Sequence, residues 1–250
     1  MDKELEKQIE RLQSMIDESQ KIVFFGGAGV STESGIPDFR SVDGLYNQKY
    51  KYPPETILSH TFYRRNPQEF YRFYHDKMII LDAKPNAAHL KLAQLEQAGK
   101  LSAVVTQNID GLHQAAGSKK VYELHGSTLR NYCEECGEFH DIQYIWEHTM
   151  NPGEVPLCKK CGGPVKPDVV LYEEGLDDAT VSGAIRAIRD ADMLVIGGTS
   201  LAVYPAAGMI DYFSGKHLVV INKGATPRDH AADLCLQGAI GEILSQIEVR

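Results

Sequence analysis

Ile22-Val23-Phe24-Phe25-Gly26-Gly27-Ala28-Gly29-Val30-Ser31-Thr32-Glu33-Ser34-Gly35-Ile36-Pro37-Asp38-Phe39-Arg40 is the stretch on which the reading of this chain turns. Four apolar residues deliver the backbone to a turn where Gly27 and Gly29 can take positive φ, so that main-chain N–H groups approach an anion with no Cβ in the way. An apolar run followed by a glycine turn is the local geometry of a dinucleotide site. The usual dinucleotide fingerprint asks for a third glycine three residues after Gly29, where this chain has Thr32, and no acidic residue about 20 positions on clearly follows a second strand. An ordinary dehydrogenase is therefore disfavoured.

Outward from this turn, further short apolar runs occur at 102–106, 121–124, 169–172, 193–196 and 217–221, the form expected of buried parallel strands. Helical patterns lie between several of them, most clearly 86–98, with Asn86 after Pro85 as N-cap and Gly99 as the C′ stop. Leu5, Ile9, Leu12 and Ile16 recur at three- and four-residue steps among charged residues and predict an amphipathic N-terminal helix. Alternating strands and helices predict an α/β fold with a doubly wound, parallel, Rossmann-like sheet. Two stretches break that rhythm: 41–81, rich in Tyr, Phe and Pro, and 131–167, which carries four paired cysteines. The expected organisation is a discontinuous dinucleotide-binding domain of residues 1–40, 82–130 and 168–250, a helical module of 41–81 and a four-cysteine module of 131–167.

The bulk numbers agree with one sizeable core and a small insertion: 250 residues, with a net charge of −8 that argues against a nucleic-acid partner. Met1-Asp2-Lys3-Glu4 opens on charges and nowhere do 18 apolar residues run together, so no membrane contact and a cytoplasmic location are expected.

Cys133-x-x-Cys136 and Cys158-x-x-Cys161 stand 21 residues apart. Two such knuckles let four thiolates converge on one Zn²⁺ as a closed tetrahedron, which makes the metal structural. Two disulfides or free thiols are the alternatives in a chain of this kind. A nucleic-acid-binding ribbon is opposed by Glu134, Glu135, Glu138, Asp141, Glu147 and Glu154 against Lys159 and Lys160 alone. Cys235 is left over and reads as a buried thiol.

His125 ends the apolar run in Glu123-Leu124-His125-Gly126. Strand carboxyl ends face the ligand crevice of an open α/β sheet, and an imidazole there can act as a general base or serve the structure. Asn108 and Asp110, after the strand 102–106, can direct hydrogen bonds to a ribose or an amide, or can form Asx turns in a plain loop. Asp38-Phe39-Arg40 combines a carboxylate, a ring and a guanidinium suited to shielding and phosphate binding, or to a surface loop. Gly198, Thr199 and Ser200 offer N–H and hydroxyl donors past one strand, and Asn222 ends another.

The segment from Gly27 to Arg40 closely resembles the Gly-Ala-Gly-x-Ser-x-x-Ser-Gly-Ile-Pro-Asp-Phe-Arg motif of the sirtuins, the NAD-dependent protein-lysine deacylases. The resemblance recurs at Thr106-Gln107-Asn108-Ile109-Asp110, His125-Gly126, the four cysteines, Gly198-Thr199-Ser200-Leu201 and Ile221-Asn222, and so covers nearly the whole chain in order. It implies a bacterial-type protein-lysine deacetylase that uses NAD as cosubstrate, carries structural zinc and acts on acetyl-lysine peptides or proteins. By the same resemblance, the acetyl oxygen attacks the ribose carbon bearing nicotinamide and His125 takes a proton from a ribose hydroxyl. The implied products are free lysine, nicotinamide and O-acetyl-ADP-ribose. His125 and Asn108 are the implied catalytic residues. Ala28, Thr32, Phe39, Arg40, Gln107, Ile109, Asp110, His125, Thr199, Ser200 and Asn222 are the implied NAD contacts. Ile240, near the final helix, aligns with an adenine contact but also suits a core position.

His89 and His113 fall in stretches that resemble the family too, and both read as structural. Two departures stand out. Glu173 occupies the place where the family's substrate strand commonly has Gly. At Tyr71-Arg72-Phe73-Tyr74 the Arg that pairs acidic acyl groups is missing, which points to acetyl or a longer apolar acyl group. Protein ADP-ribosyl transfer and a catalytically silent NAD-binding interaction protein are the rival readings.

Overall fold

The computed structural model describes residues 3–39, 44–45 and 50–250. Helix α1 (Lys3–Glu18) buries Ile9, Leu12 and Ile16 of the predicted stripe and Met15 beside them, and leaves Leu5 half-buried against the same core. Strand β1 (Ile22–Gly26) follows, buried at all five positions. The helical module then contributes α2 (Pro54–Ile57), α3 (His60–Arg65) and α4 (Pro67–Lys77). Next come α5 (Ala87–Gln97), β2 (Leu101–Thr106), α6 (Leu112–Ala115) and β3 (Val121–Glu123). Asn86 caps α5 in a reciprocal capping box with His89, and Gly99 follows the helix at φ +77°, as the stop signal requires.

The chain then leaves the parallel sheet for β4 (Gly126–Cys133), β5 (Phe139–Asp141), α7 (Ile142–Glu147) and β6 (Val165–Val169). It returns through α8 (Asp178–Arg189), β7 (Met193–Gly197), β8 (His217–Asn222), β9 (Leu234–Gln237) and α9 (Ile240–Ser245).

The six-stranded sheet has the order β3-β2-β1-β7-β8-β9, with parallel pairing throughout. Chain order reverses between β1 and β7, which is the switch point where such sheets open a ligand crevice. Helices cover both faces, and the strands divide by alternation. Phe24, Val104 and Met193 meet Leu12, Leu92 and Ile243 on one face, while Val23, Phe25, Val105 and Leu194 meet Ala184 and Ile188 on the other. No helix among the described residues is long and apolar enough to cross a membrane.

The inserted segments share one core. The antiparallel sheet β5-β4-β6 packs with α3, α4 and α7 around Tyr63, Phe70, Tyr71, Tyr74, Ile145 and Val165. The Tyr71 hydroxyl donates to the Val165 carbonyl, and the Tyr63 hydroxyl donates to Glu134 at 2.9 Å, so module and ribbon are joined by polar contacts as well as by rings.

Two sequence expectations need correction, and one strand goes unpredicted. The run 169–172 is not a strand of the parallel sheet: Val169 ends antiparallel β6, and 170–172 go on as an extended connector. In that connector Tyr172 N–H donates to Leu58 and its carbonyl accepts from His60 N–H, each at 3.0 Å. A run buried between two modules carries the same apolar signature as a buried parallel strand. The short β9 escapes the pattern because only Leu234 and Leu236 face inward. Cys235, between them, is half-buried rather than buried.

Candidate active site

The carboxyl ends of the parallel strands and the facing edge of the insertion enclose a cleft of about 600 Å³. Its floor is the turn after β1. Gly27 is extended, at φ −134°, and Gly29 is not in the positive-φ region either, so left-handed backbone is not what these glycines supply. They supply closeness. A Cβ on Gly27 would lie 2.9 Å from Thr199 Cβ, and one on Gly29 would lie 2.8 Å from Gly198 Cα. Gly29 N–H donates to the Gly198 carbonyl at 2.8 Å, and Gly198 itself has φ +59°. The two glycine loops that follow β1 and β7 are therefore locked backbone to backbone at the switch point.

Ala28 and Thr32 line the cleft above this junction, with the Thr32 hydroxyl donating to the Gly29 carbonyl at 3.0 Å. Phe39 lines it from the side of the insertion, whose core it also touches. Arg40 lies outside the described residues. Thr199 and Ser200 line it from the loop after β7, and Thr199 Oγ1 accepts from Gln107 Nε2 and from Leu201 N–H, each at 3.1 Å. Asn222 stands at the end of β8, its amide folded back onto the Gly224 carbonyl at 2.8 Å. Ile240 both packs in the core beside Gly197 and lines the cleft, so its two readings are compatible.

Gln107, Asn108, Ile109 and Asp110 all line the cleft after β2. Asn108, 7% exposed, donates Nδ2–H to Ser31 Oγ at 3.0 Å, and the Ser31 hydroxyl donates to Asp110 Oδ2 at 2.6 Å. The other Asp110 oxygen accepts from Leu112 N–H at 2.9 Å. Asn108 and Asp110 are thus not a plain loop held by Asx turns alone: buried Ser31, from the first glycine loop, braces both. Ser31 escapes residue-by-residue reasoning because a lone serine carries no chemistry of its own. Its place inside the Gly27–Arg40 motif is the signal that could have found it.

His125 lies between β3 and β4, at the seam of the two sheets. Its Nδ1 is 3.0 Å from the Gln107 carbonyl, which can only accept, so the proton sits on Nδ1 and Nε2 keeps its lone pair. Burial pushes the imidazole pKa below its usual 6.5, opposed by the Gln107 hydrogen bond. The ring is neutral at pH 7 and able to accept a proton.

The four cysteines converge away from the cleft, and none of them lines it. Their sulfurs lie within 4.8 Å of one another, with Cys133–Cys161 and Cys136–Cys161 at 3.4 Å and Cys136–Cys158 at 3.7 Å. A Zn–S bond of roughly 2.3 Å sets tetrahedral edges of about 3.8 Å, whereas a disulfide needs about 2.05 Å. All four thiols are free. Lys160 N–H and Gly163 N–H point at Cys158 and Cys161 sulfurs at 3.4 Å, as in metal knuckles that stabilise thiolates. The donor set fits zinc with no open position.

His89 and His113 are 0% and 1% exposed and pack edge to face at 4.7 Å, away from the cleft. Tyr71 and Tyr74 are likewise buried in the insertion core and do not line the cleft.

A family model described as Sir2 family matches residues 27–205. An NAD-dependent protein deacetylase of Clostridium acetobutylicum is 58% identical over 241 residues, covering 96% of this chain and 97% of the relative. Among solved structures, a Sir2 enzyme with a deacetylated p53 peptide and 3′-O-acetyl ADP ribose superposes with a TM-score of 0.86 at 39% identity, over 94% of this chain and 95% of that one. A Sir2 complex with p53 peptide and NAD+ gives 0.83 at 39% identity over the same shares. Sequence and fold agree over nearly their full lengths, and the chain belongs to the Sir2 family.

Proposed function

We infer that this chain is an NAD-dependent protein-lysine deacetylase, with acetyl-lysine peptides or proteins as substrate and structural zinc in its ribbon. The observation that carries the catalytic assignment is the pinned tautomer of His125, with Nδ1–H held by the Gln107 carbonyl and Nε2 left to accept a proton at the edge of the cleft. Bound NAD supplies the ribose carbon that receives the acetyl oxygen as nicotinamide leaves. His125 would then take a ribose hydroxyl proton at Nε2, freeing that oxygen to bond the acetyl carbon, and one water would supply the oxygen and protons with which the acetyl carbon parts from the lysine amine. Asn108 and Asp110, braced through Ser31, orient the ribose and nicotinamide, together with Gln107 and Ile109. Ala28, Thr32, Thr199, Ser200, Asn222 and Ile240 hold the rest of the dinucleotide, and Phe39 shields the point of departure from water; Arg40 keeps the NAD-contact role that its motif implies. The wall formed by residues 169–172 receives the extended peptide between the nucleotide domain (1–40, 82–130 and 168–250) and the modules 41–81 and 131–167. The products held by the solved relative are those this chemistry requires. A thiolate zinc site in a chain with no disulfide fits a reducing compartment, and we assign the protein to the cytoplasm.

The test is incubation of the zinc-loaded protein with an acetyl-lysine peptide, with and without NAD, following peptide mass and nicotinamide together. Loss of acetyl only with NAD, matched mole for mole by nicotinamide, is expected. A peptide that gains the mass of ADP-ribose would instead make the protein a transferase to protein, and nicotinamide release with an unchanged peptide would reduce it to NAD hydrolysis.

A further inference from the structure

Glu173 has φ +77°, one of two described non-glycine residues in the left-handed region. An L side chain adopts that conformation only at a cost, and glycine adopts it freely, which accounts for the Gly that the resembling motif commonly carries here. A strained residue at a functional site calls for something that its side chain does. Glu173 Oε2 accepts the main-chain N–H of Thr61, in the first turn of α3, at 2.8 Å. That hydrogen bond holds its carboxyl below the usual range, aided by the charges of His60 and Arg65.

The contact closes a short span. Val170 N–H donates to the carbonyl of His125 itself at 3.0 Å, Tyr172 bridges to Leu58 and His60, and Glu173 then grips Thr61. Glu174 closes the turn beneath it, accepting from Leu171 N–H at 2.9 Å and pairing with His60 at 2.8 Å and Lys166 at 3.2 Å. Residues 170–174 therefore run from the carbonyl of His125 to α3, tied by main-chain hydrogen bonds at Val170 and Tyr172 and by the carboxylates of Glu173 and Glu174. Without the carboxylate of Glu173, the end beside α3 is held by Tyr172 and Glu174 alone.

We propose that Glu173 is a positioning residue for the substrate peptide: its carboxylate clasps Thr61 of α3 and so holds the cleft wall 170–172 in register with His125 for an extended acyl-lysine peptide. This rests on the deacetylase reading. It predicts an effect on peptide binding and none on the dinucleotide, because Glu173 borders the connector and not the loops after β1 and β7. The strain is kept because the left-handed backbone is what turns the carboxylate back onto α3.

The experiment measures affinity of the zinc-loaded protein for a fluorescently labelled acetyl-lysine peptide by anisotropy, with steady-state deacetylation in parallel. E173A, which keeps the strained backbone and loses the clasp, is expected to weaken peptide binding and raise peptide KM about tenfold, with kcat and the KM for NAD within about twofold. E173Q keeps an oxygen for Thr61 N–H and is expected to stay within about twofold of the parent on every parameter. Unchanged peptide affinity in E173A overturns the proposal and leaves the deacetylase reading standing. So does an equal rise in KM for NAD, the mark of general loosening, and so does E173Q failing alongside E173A. A parent protein that neither binds nor deacetylates the peptide overturns both readings.

Discussion

The two halves of this molecule are held together by different physics. In the parallel half, β1 and β7 are buried at every position and packed on both faces, so removal of apolar surface from water is sufficient to hold it. In the inserted half, β4 and β5 carry exposed or half-buried residues among the buried ones, and Tyr132, Phe139 and Leu157 stand 40%, 53% and 53% exposed. Its core is one cluster of aromatic and aliphatic side chains that includes Cys133 and Cys158, two of the four converging cysteines. The first half can be rigid by itself, and the second borrows rigidity from a metal. Only Leu124 and His125 separate the last residue of β3 from the first of β4, so the proposed base sits on the seam, fixed by the Gln107 carbonyl and bonded through its own carbonyl to the connector 170–172.

The largest effect that can break this comparison is loss of zinc. Metal binding to cysteine sites of this size is worth roughly 10 kcal/mol or more, so C136S or exhaustive chelation is expected to unfold the ribbon. The chain's one tryptophan, Trp146, lies on α7 and stacks on His75 at 4.0 Å, which makes intrinsic fluorescence a reporter of the insertion. The expected outcome is a shifted Trp146 spectrum and lost deacetylation, while amides of β1 and β7 keep their hydrogen-exchange protection. Simultaneous loss of both signals would mean that the halves are one cooperative unit and the contrast is false.

Next in size is H125A. A positioned general base contributes about 10²- to 10⁴-fold, so turnover should fall within that range while thermal melts and the Trp146 spectrum stay those of the parent. The working form is the neutral ring, and its pKa is depressed by burial. Activity should therefore fall on acidification only as pH passes below the ordinary histidine value, not above it. A pH profile whose acid limb lies above pH 7, or turnover that survives H125A, would take the proposed chemistry off the seam.

What could be read from the sequence follows the same division. The buried parallel strands announce themselves because continuous apolar runs admit few other structures, and Ile22–Phe25, 193–196 and 217–221 lie within strands of the sheet. The paired cysteines were equally legible because metal geometry constrains their spacing. The reading faltered where two elements distant in sequence determine a residue's surroundings. Val169–Tyr172 is apolar because two modules clamp it, and Ser31 matters only once Asn108 and Asp110 are brought beside it. Gly27 and Gly29 mark the turn in the sequence, but the demand on them comes from the loop of Gly198 and Thr199, far along the chain, and no local pattern reports it.

The smallest of these effects is also the one that isolates the parallel half. His113 packs between Phe24 and His89, and neither of its ring nitrogens has a hydrogen-bond partner among the described residues. Burial lowers His113 to about 3, with neighbouring His89 pushing the same way, and lowers His89 to about 4, against the opposing charge of Asp110. Both rings are thus carried neutral in the fold but charge near 6.5 when the chain unfolds. Their contribution to stability is whole above pH 6.5 and drains as pH falls toward those lower values, at about 1.4 kcal/mol per pH unit for each ring. Urea unfolding followed by exchange at β1 and β2, with zinc saturating, should show that slope between pH 6.5 and 5. H113F keeps a ring between Phe24 and His89 and has no proton to take up, so it should unfold with a slope shallower by about 1.4 kcal/mol per pH unit. An unchanged slope would mean that acid acts on the parallel half through some other group, and that the half held by apolar burial does not owe its acid sensitivity to the two imidazoles it encloses.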